Sequence, residues 1–460
     1  MKDLRIDRRA LLAGGAGGLA SLALGNGQAP HFAPRARRAI HICLVGGLSQ
    51  VDSFDHKPEL ARFHGKTPPM EERPDVFFGK VGLLRQSDFA FRQRGESGLW
   101  VSDLFPHLAR RADQLTVIRS MHGETGNHTP GLFLANSGFP RNGFPCLGSW
   151  LSYGLGTEAG DLPAHVVIPD ARGAPSGGAS NWTSGFLPGE HQGVTFRPDA
   201  NPVRDLAPPE GRASDPVRRL VRLMDEGQLE RRGGRDAILE TRLRAYELSA
   251  RLQTSIPAVC RLDGEPVKLT RSYGLEEEET SDFARSCLVA RRLVERGVRF
   301  VQLFSGGPLG GKPRTSWDGH EDNRANHLRE ARRIDRPVAT LLADLEQRGM
   351  LEDTLVLCTT EFGRTPFTQS EADVLGAGRD HNNAGFSIWM AGAGLRPGTA
   401  YGETDELGYQ AVKDPVRWHD LHATVLHLFG LDHERLSFYH DGIQRRLTNV
   451  EGHVLHDILA

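Results

Sequence analysis

Six short apolar runs, rich in β-branched residues, punctuate the chain at Ala39–Val45, Leu115–Ile118, His165–Ile168, Val298–Phe304, Leu355–Cys358 and Phe386–Met390. Runs of this kind read as strands buried on both faces, which is the signature of a mainly parallel sheet. Between them lie helical patterns at Asp103–Gln114, Asp215–Glu226, Asp236–Gln253, Ser281–Glu295, His327–Arg348 and His419–Phe429. This alternation predicts an α/β fold: a doubly wound, mainly parallel sheet with helices on both faces. Residues 169–210, dense in Gly, Pro and Ser, and 260–280, with the acidic run Glu276–Glu279, lack periodicity. They are expected to be loop insertions within a single domain over 36–460, since a chain of 460 residues fits one large α/β domain as well as two.

Charge and composition narrow the partners. The 56 basic and 58 acidic side chains nearly cancel, and no stretch is basic enough to follow a phosphate backbone, which argues against a nucleic-acid partner. The five cysteines show no CxxC spacing, so neither a cysteine-based zinc knot nor a redox pair is expected. The 19 histidines, by contrast, justify a search for a metal site. At the N-terminus, Arg8-Arg9 precedes a weakly apolar Gly/Ala/Leu run ending at Leu24. Residues 1–30 therefore read as a twin-arginine export signal, cleaved between Leu24 and Arg35, which predicts a periplasmic or cell-surface protein. No later window has the roughly 18 apolar residues that a spanning helix needs, so no membrane span is expected in the mature chain.

In open α/β sheets, ligands bind beyond the carboxyl ends of the strands, and polar residues collect there in this sequence. The first strand runs into Gly46-Gly47-Leu48-Ser49-Gln50-Val51-Asp52-Ser53-Phe54-Asp55. The second leads to His122, Glu124 and Asn127-His128-Thr129-Pro130. Farther on come Trp317-Asp318-Gly319-His320, Thr360-Glu361-Phe362-Gly363-Arg364 and Asp380-His381-Asn382-Asn383. Asp52 and Asp55 are read either as ligands or as caps of the first helix. The His419/His422 pair reads as helix packing, and His433, His440, His453 and His456 as surface or core residues.

At these residues the chain resembles the alkaline-phosphatase and sulfatase superfamily, and within it a family of exported, sulfatase-like proteins of unassigned function. The segments Gly47–Asp55, Glu361-Phe362-Gly363-Arg364-Thr365-Pro366, Gly378-Arg379-Asp380-His381 and Asp420–His427 carry the narrower resemblance. It implies a metal site at Asp318, His320, Glu361 and His381, with Asp52 or Asp380 assisting. Phe362 stands where the superfamily has a histidine, and His128-Thr129-Pro130-Gly131 aligns with the sulfatase motif, putting His128 at the nucleophile's position. The implied activity is hydrolysis of a phosphate or sulfate ester, of a small molecule or a glycan, assisted by a divalent metal ion (Zn²⁺, Mn²⁺, Ca²⁺ or Mg²⁺). His128, Thr129 and Arg364 are then the candidate catalytic residues, with Arg364 pairing with the ester's oxygens. The competing reading is a catalytically inactive metal-containing protein that binds an anionic glycan or a partner protein.

Overall fold

Strands in the computed structural model are β1 (Arg38–Leu44), β2 (Phe91–Arg94), β3 (Leu99–Ser102), β4 (Leu115–Met121), β5 (His165–Ile168) and β6 (Val194–Thr195). They continue as β7 (Phe300–Ser305), β8 (Thr354–Thr360), β9 (Gly363–Thr368), β10 (Arg379–Asn382), β11 (Phe386–Ala391) and β12 (Thr399–Tyr401). The main helices are α1 (His128–Ser137), α2 (Leu147–Leu155), α3 (Ser214–Arg231), α4 (Val267–Tyr273), α5 (Ser281–Glu295), α6 (Asn323–Gln347) and α7 (Trp418–Leu428). The structure describes residues 29–69, 74, 76–197, 214–231, 233, 239 and 255–460. Residues 1–28 of the expected export signal and, apart from Leu239, the helix expected over Asp236–Gln253 lie outside them.

All six apolar runs are strands of one eight-stranded sheet, in the order β12-β4-β11-β8-β1-β7-β5-β6. Within it only β11 runs against its neighbours, β4 and β8. Along β1 the two-residue period sends Ile40, Ile42 and Leu44 into a core shared with α5 and α6. Ala39, together with Leu355 and Leu357 of β8, faces the opposite core, which is packed against α2 and α7. Helices therefore cover both faces, and this is why the strands show no polar side in the sequence.

Several local expectations need correction. The pattern at Asp103–Gln114 yields only a 3₁₀ helix over Leu108–Gln114, because Pro106 has no N–H to donate and biases Phe105 away from helical geometry. Residues 260–280 are not wholly loop, since α4 is set between Pro266 and the left-handed Gly274. Helix α1 was hidden in a segment read for its chemistry; it stops at Gly138, whose φ of 77° suits a residue without a Cβ. Residues 379–382, expected only to precede a strand, are themselves strand β10, paired antiparallel with β9 so that His381 lies opposite Arg364. All five cysteines are buried, and none forms a disulfide among the described residues. Among the described residues, no helix is long and apolar enough to cross a membrane.

Candidate metal centre

The carboxyl ends of β1, β7 and β8 converge with the first residue of α1. The loop after β7 is stitched to the end of β1 by the Trp317 N–H, which donates to the Val45 carbonyl at 2.8 Å. Glycine is required at the contact: a Cβ on Gly46, whose φ is 120°, would lie 2.5 Å from the Asp318 nitrogen. Asp318 is thereby held against the strand ends, and the β9–β10 hairpin brings His381 in from the other side.

His128, Asp318, His320 and His381 each present one ligand atom, and these atoms lie within 4.8 Å of one another. Asp318 Oδ1 is the hub, 2.7 Å from His320 Nε2 and 3.3 Å from both His381 Nε2 and His128 Nε2. Each imidazole is fixed from behind. His381 Nδ1 donates to the Gly126 carbonyl at 2.5 Å, His128 Nδ1 meets Glu361 Oε1 at 2.8 Å, and His320 Nδ1 meets the Gln369 side-chain oxygen. Oxygens in those places put the proton on Nδ1 and leave the Nε2 lone pair turned inward, the arrangement outer partners impose on metal-binding histidines. His320 Nε2 and His381 Nε2 then face each other at 2.9 Å. Two lone pairs repel at that distance unless positive charge lies between them. His128 Nε2 is buried and faces only Asp318 Oδ1, at 3.3 Å, without a well-formed hydrogen bond. A poorly satisfied nitrogen, two opposed imidazoles and a carboxylate together fit a divalent cation.

The electrostatics agree. Burial alone would raise the Asp318 pKa, but Arg364 and the three histidines hold it far below the usual carboxylate range. Burial, reinforced by Arg364, pushes His381 well below its ordinary value and keeps it neutral, as a ligand must be. For His128 burial also lowers the pKa, yet the Asp318 and Glu361 carboxylates on either side carry it above its ordinary value. This corner of the centre attracts positive charge.

Of the residues singled out from sequence, Asp318, His320 and His381 come together and His128 joins them as a fourth donor. Glu361 stands behind, accepting from His128 and from the Gly46 N–H at 2.8 Å. Asp52 belongs to a separate buried network with Arg379, Ser49 and Asn323, and Asp55 to one with Lys57 and Thr404. Asp380 accepts the Phe78 and His381 backbone N–H groups. Thr129 is paired with Ser176 through their hydroxyls. Phe362 packs against the rings of both His381 and His128, with centroids 4.5 and 4.9 Å away. Three contributors escaped the sequence reading: Gln369, the Gly126 carbonyl, and Arg314, which pairs with Asp318 Oδ2.

Arg364 is fully buried, and its donors reach the Gly46, Gly47 and Arg379 carbonyls and Asp318 Oδ1. That leaves no fork for an ester, so in this arrangement the guanidinium braces the first loop and Asp318. Arg364→Met should cost about 3–5 kcal/mol, because it strands a buried carboxylate and several carbonyls. Arg364→Lys should recover only part of this, an ammonium being unable to span the same acceptors. Urea unfolding of the two variants checks both figures; wild-type stability in Arg364→Met would rule out the bracing role.

No curated protein matches the chain. Among solved structures it is similar to the C-terminal periplasmic domain of EcEptC from Escherichia coli in complex with Zn, at TM-score 0.39 and 10% identity over 95% of this chain and 98% of that one. It is also similar to the phosphonate monoester hydrolase SpPMH from Silicibacter pomeroyi, at TM-score 0.35 and 15% identity over 77% and 71% of the two chains. The PsFucS1 sulfatase from Pseudoalteromonas sp. aligns at TM-score 0.33 and 14% identity over 92% and 72%. The family model for proteins of unknown function DUF1501 matches residues 36–459, so nearly the whole chain beyond its N-terminal segment belongs to that family.

Proposed function

We propose that the chain is an exported metal-dependent hydrolase of phosphate or sulfate esters, working in the periplasm or at the cell surface. The observation that carries this reading is the convergence of three back-anchored imidazoles on Asp318 at the start of α1. An imidazole-rich donor set suits Zn²⁺ better than Ca²⁺ or Mg²⁺, which prefer oxygen ligands. When bound, such a cation supplies the positive charge that stabilises the negative charge developing on an ester oxygen. The chain's own contribution is to fix the donors through Glu361, Gln369 and Gly126, and to point the amino end of α1, a natural anion seat, at the same place. Phe77 and Phe78 shield the centre, with the Phe77 ring 4.9 Å from His381 and the Phe78 ring edge-on to His320 at 4.8 Å. His128 has one nitrogen on Glu361 and the other facing Asp318, and Thr129 is tied to Ser176. The reading therefore assigns attack on the ester to water.

One observation favours the second reading, a metal-containing protein without turnover. The centre offers four protein donors and is nearly closed, with His128 8%, His381 4% and Asp318 2% exposed. Closed four-donor sites are typical of structural zinc, whereas catalytic sites keep a position open. Titrating metal-stripped protein with Zn²⁺ while following cleavage of 4-nitrophenyl phosphate and sulfate separates the two. The hydrolase reading expects product release to rise with bound zinc and level off near one equivalent per chain. Stoichiometric zinc without release of either product would leave the second reading standing.

A further inference from the structure

The Arg364 guanidinium is wholly taken up by backbone carbonyls and Asp318, but a second arginine at the centre, Arg314, is held differently. It stands at the end of the glycine-rich loop that follows β7. The Gly307 N–H donates to the Thr315 carbonyl at 2.7 Å, and Arg329 donates to the Arg314 carbonyl at 2.6 Å, so the backbone beneath Arg314 is fixed. Its guanidinium presents two edges. Nη1 donates to Asp318 Oδ2, the oxygen other than the one the three imidazoles face. Nε and Nη2 lie against the Glu321 carboxylate, with Nε–Oε2 and Nη2–Oε1 both 2.8 Å.

Steadying Asp318 occupies only the first edge. The second is a parallel pair of donors facing a carboxylate that is half in solvent: the Glu321 side chain is 51% exposed and that of Arg314 20%, against 0% for Arg364. Ion pairs this exposed contribute little to stability. Glu321 lies between His320, whose ring is in the centre, and Asp322, whose side chain caps α6 by accepting the Ala325 N–H at 2.9 Å. Its backbone is therefore held, and its carboxylate can leave the fork by rotation of the side chain alone. A phosphate or sulfate group offers paired oxygens to the same two donors, as a carboxylate does. We infer that the Nε/Nη2 fork of Arg314 is the seat for the ester's tetrahedral oxyanion, and that Glu321 is its resident occupant, displaced when the anion arrives. This rests on the ester-hydrolase reading for its substrate and adds the residue that holds it, a role the buried Arg364 has no free donors to fill.

A competition of this kind is read as coupling between two substitutions. Calorimetric titration of inorganic phosphate, and separately of inorganic sulfate, into the zinc-loaded full chain is the measurement. It is made on wild type, Glu321→Gln, Arg314→Gln and the double variant, each checked for about one equivalent of zinc. Glu321→Gln should tighten binding of at least one anion about tenfold, because the fork is vacated, and Arg314→Gln should weaken it about tenfold. In the Arg314→Gln background Glu321→Gln should add little, whereas mere removal of a nearby negative charge would tighten both backgrounds alike. Should Arg314→Gln lose zinc, Arg314→Lys takes its place: it keeps a positive charge beside Asp318 but offers no fork, and should likewise abolish most of the gain from Glu321→Gln. Equal tightening by Glu321→Gln in both backgrounds, wild-type anion affinity in the Arg314 variants, or no binding of either anion by the zinc-loaded chain would overturn the assignment. The hydrolase reading fails separately: the expected coupling without release of 4-nitrophenol from either ester would establish the anion seat in a protein without turnover.

Discussion

Purified His381→Ala protein should retain almost no divalent metal under conditions where the wild-type chain holds close to one equivalent. The loss follows from geometry. His381 Nε2 lies 3.3 Å from Asp318 Oδ1 and 2.9 Å from His320 Nε2, so its removal opens the centre on one side and leaves three donors. Losing an outer partner of a metal ligand costs about 10–100-fold in affinity, and losing a ligand itself should exceed that range. Gln369→Leu makes the effect graded. The Gln369 side chain holds His320 Nδ1, and without it His320 is free to turn and to change tautomer, so an intermediate loss of about 10–100-fold is expected. Elemental analysis after dialysis against a weak chelator reads all three proteins, with circular dichroism confirming that each is folded. Wild-type metal content in His381→Ala would refute the centre outright. Equal loss in His381→Ala and Gln369→Leu would mean that the anchoring of the rings, more than the number of donors, sets affinity.

Part of this centre is legible in the sequence because it obeys a rule of topology. Asp318, His320 and His381 follow or precede apolar runs that had to be strands, and polar residues at strand ends gather on one rim of a parallel sheet. Glu361 met the same criterion and is nevertheless not one of the four donors. Residue position fixes which rim a side chain occupies but not which atom it faces, and Glu361 turns to the Gly46 N–H and His128 Nδ1. His128 was noticed for its alignment with a nucleophile; its place among the donors depends on where α1 starts, and that helix carried no clear periodic signal. Gln369 gave no signal at all. It follows β9, whose pairing with β10 rests on contacts between two segments that carry no apolar run of their own. The strands were readable for the opposite reason: burial on both faces leaves a run of apolar residues that no surface segment imitates.

Four histidines outside the centre should make the fold collapse in mild acid. His41, His165, His327 and His422 are buried, and desolvation lowers each to about 3. In the unfolded chain each returns to about 6.5. Below that value the unfolded state binds more protons than the folded one, so this contribution to stability is complete above about pH 6.5 and is lost as pH falls towards 3. Each histidine removes about 1.4 kcal/mol per pH unit across that window. Asp335 acts the other way: burial raises it to about 6, so the folded state gains protons between that value and the ordinary carboxylate value, and stability rises there as pH falls. Burial raises Asp55 and Asp88 in the same sense as Asp335, and four histidines against these carboxylates leave a net loss of at most about 4 kcal/mol per pH unit between about pH 6 and 4. At that slope a domain stable by about 5–15 kcal/mol is exhausted within about one to four units, so unfolding is expected between about pH 5 and 3. Urea midpoints at pH 8, 6 and 5 measure the slope, in the presence of chelator so that proton-driven release of metal does not add to it. His165→Gln, which removes one titrating group, should flatten the slope by about a quarter of the histidine part. Stability that stays level from pH 8 to 4.5 would show that these imidazoles take up protons in the folded state, and that water reaches a core which the packing of β1, β5, α1 and α7 closes.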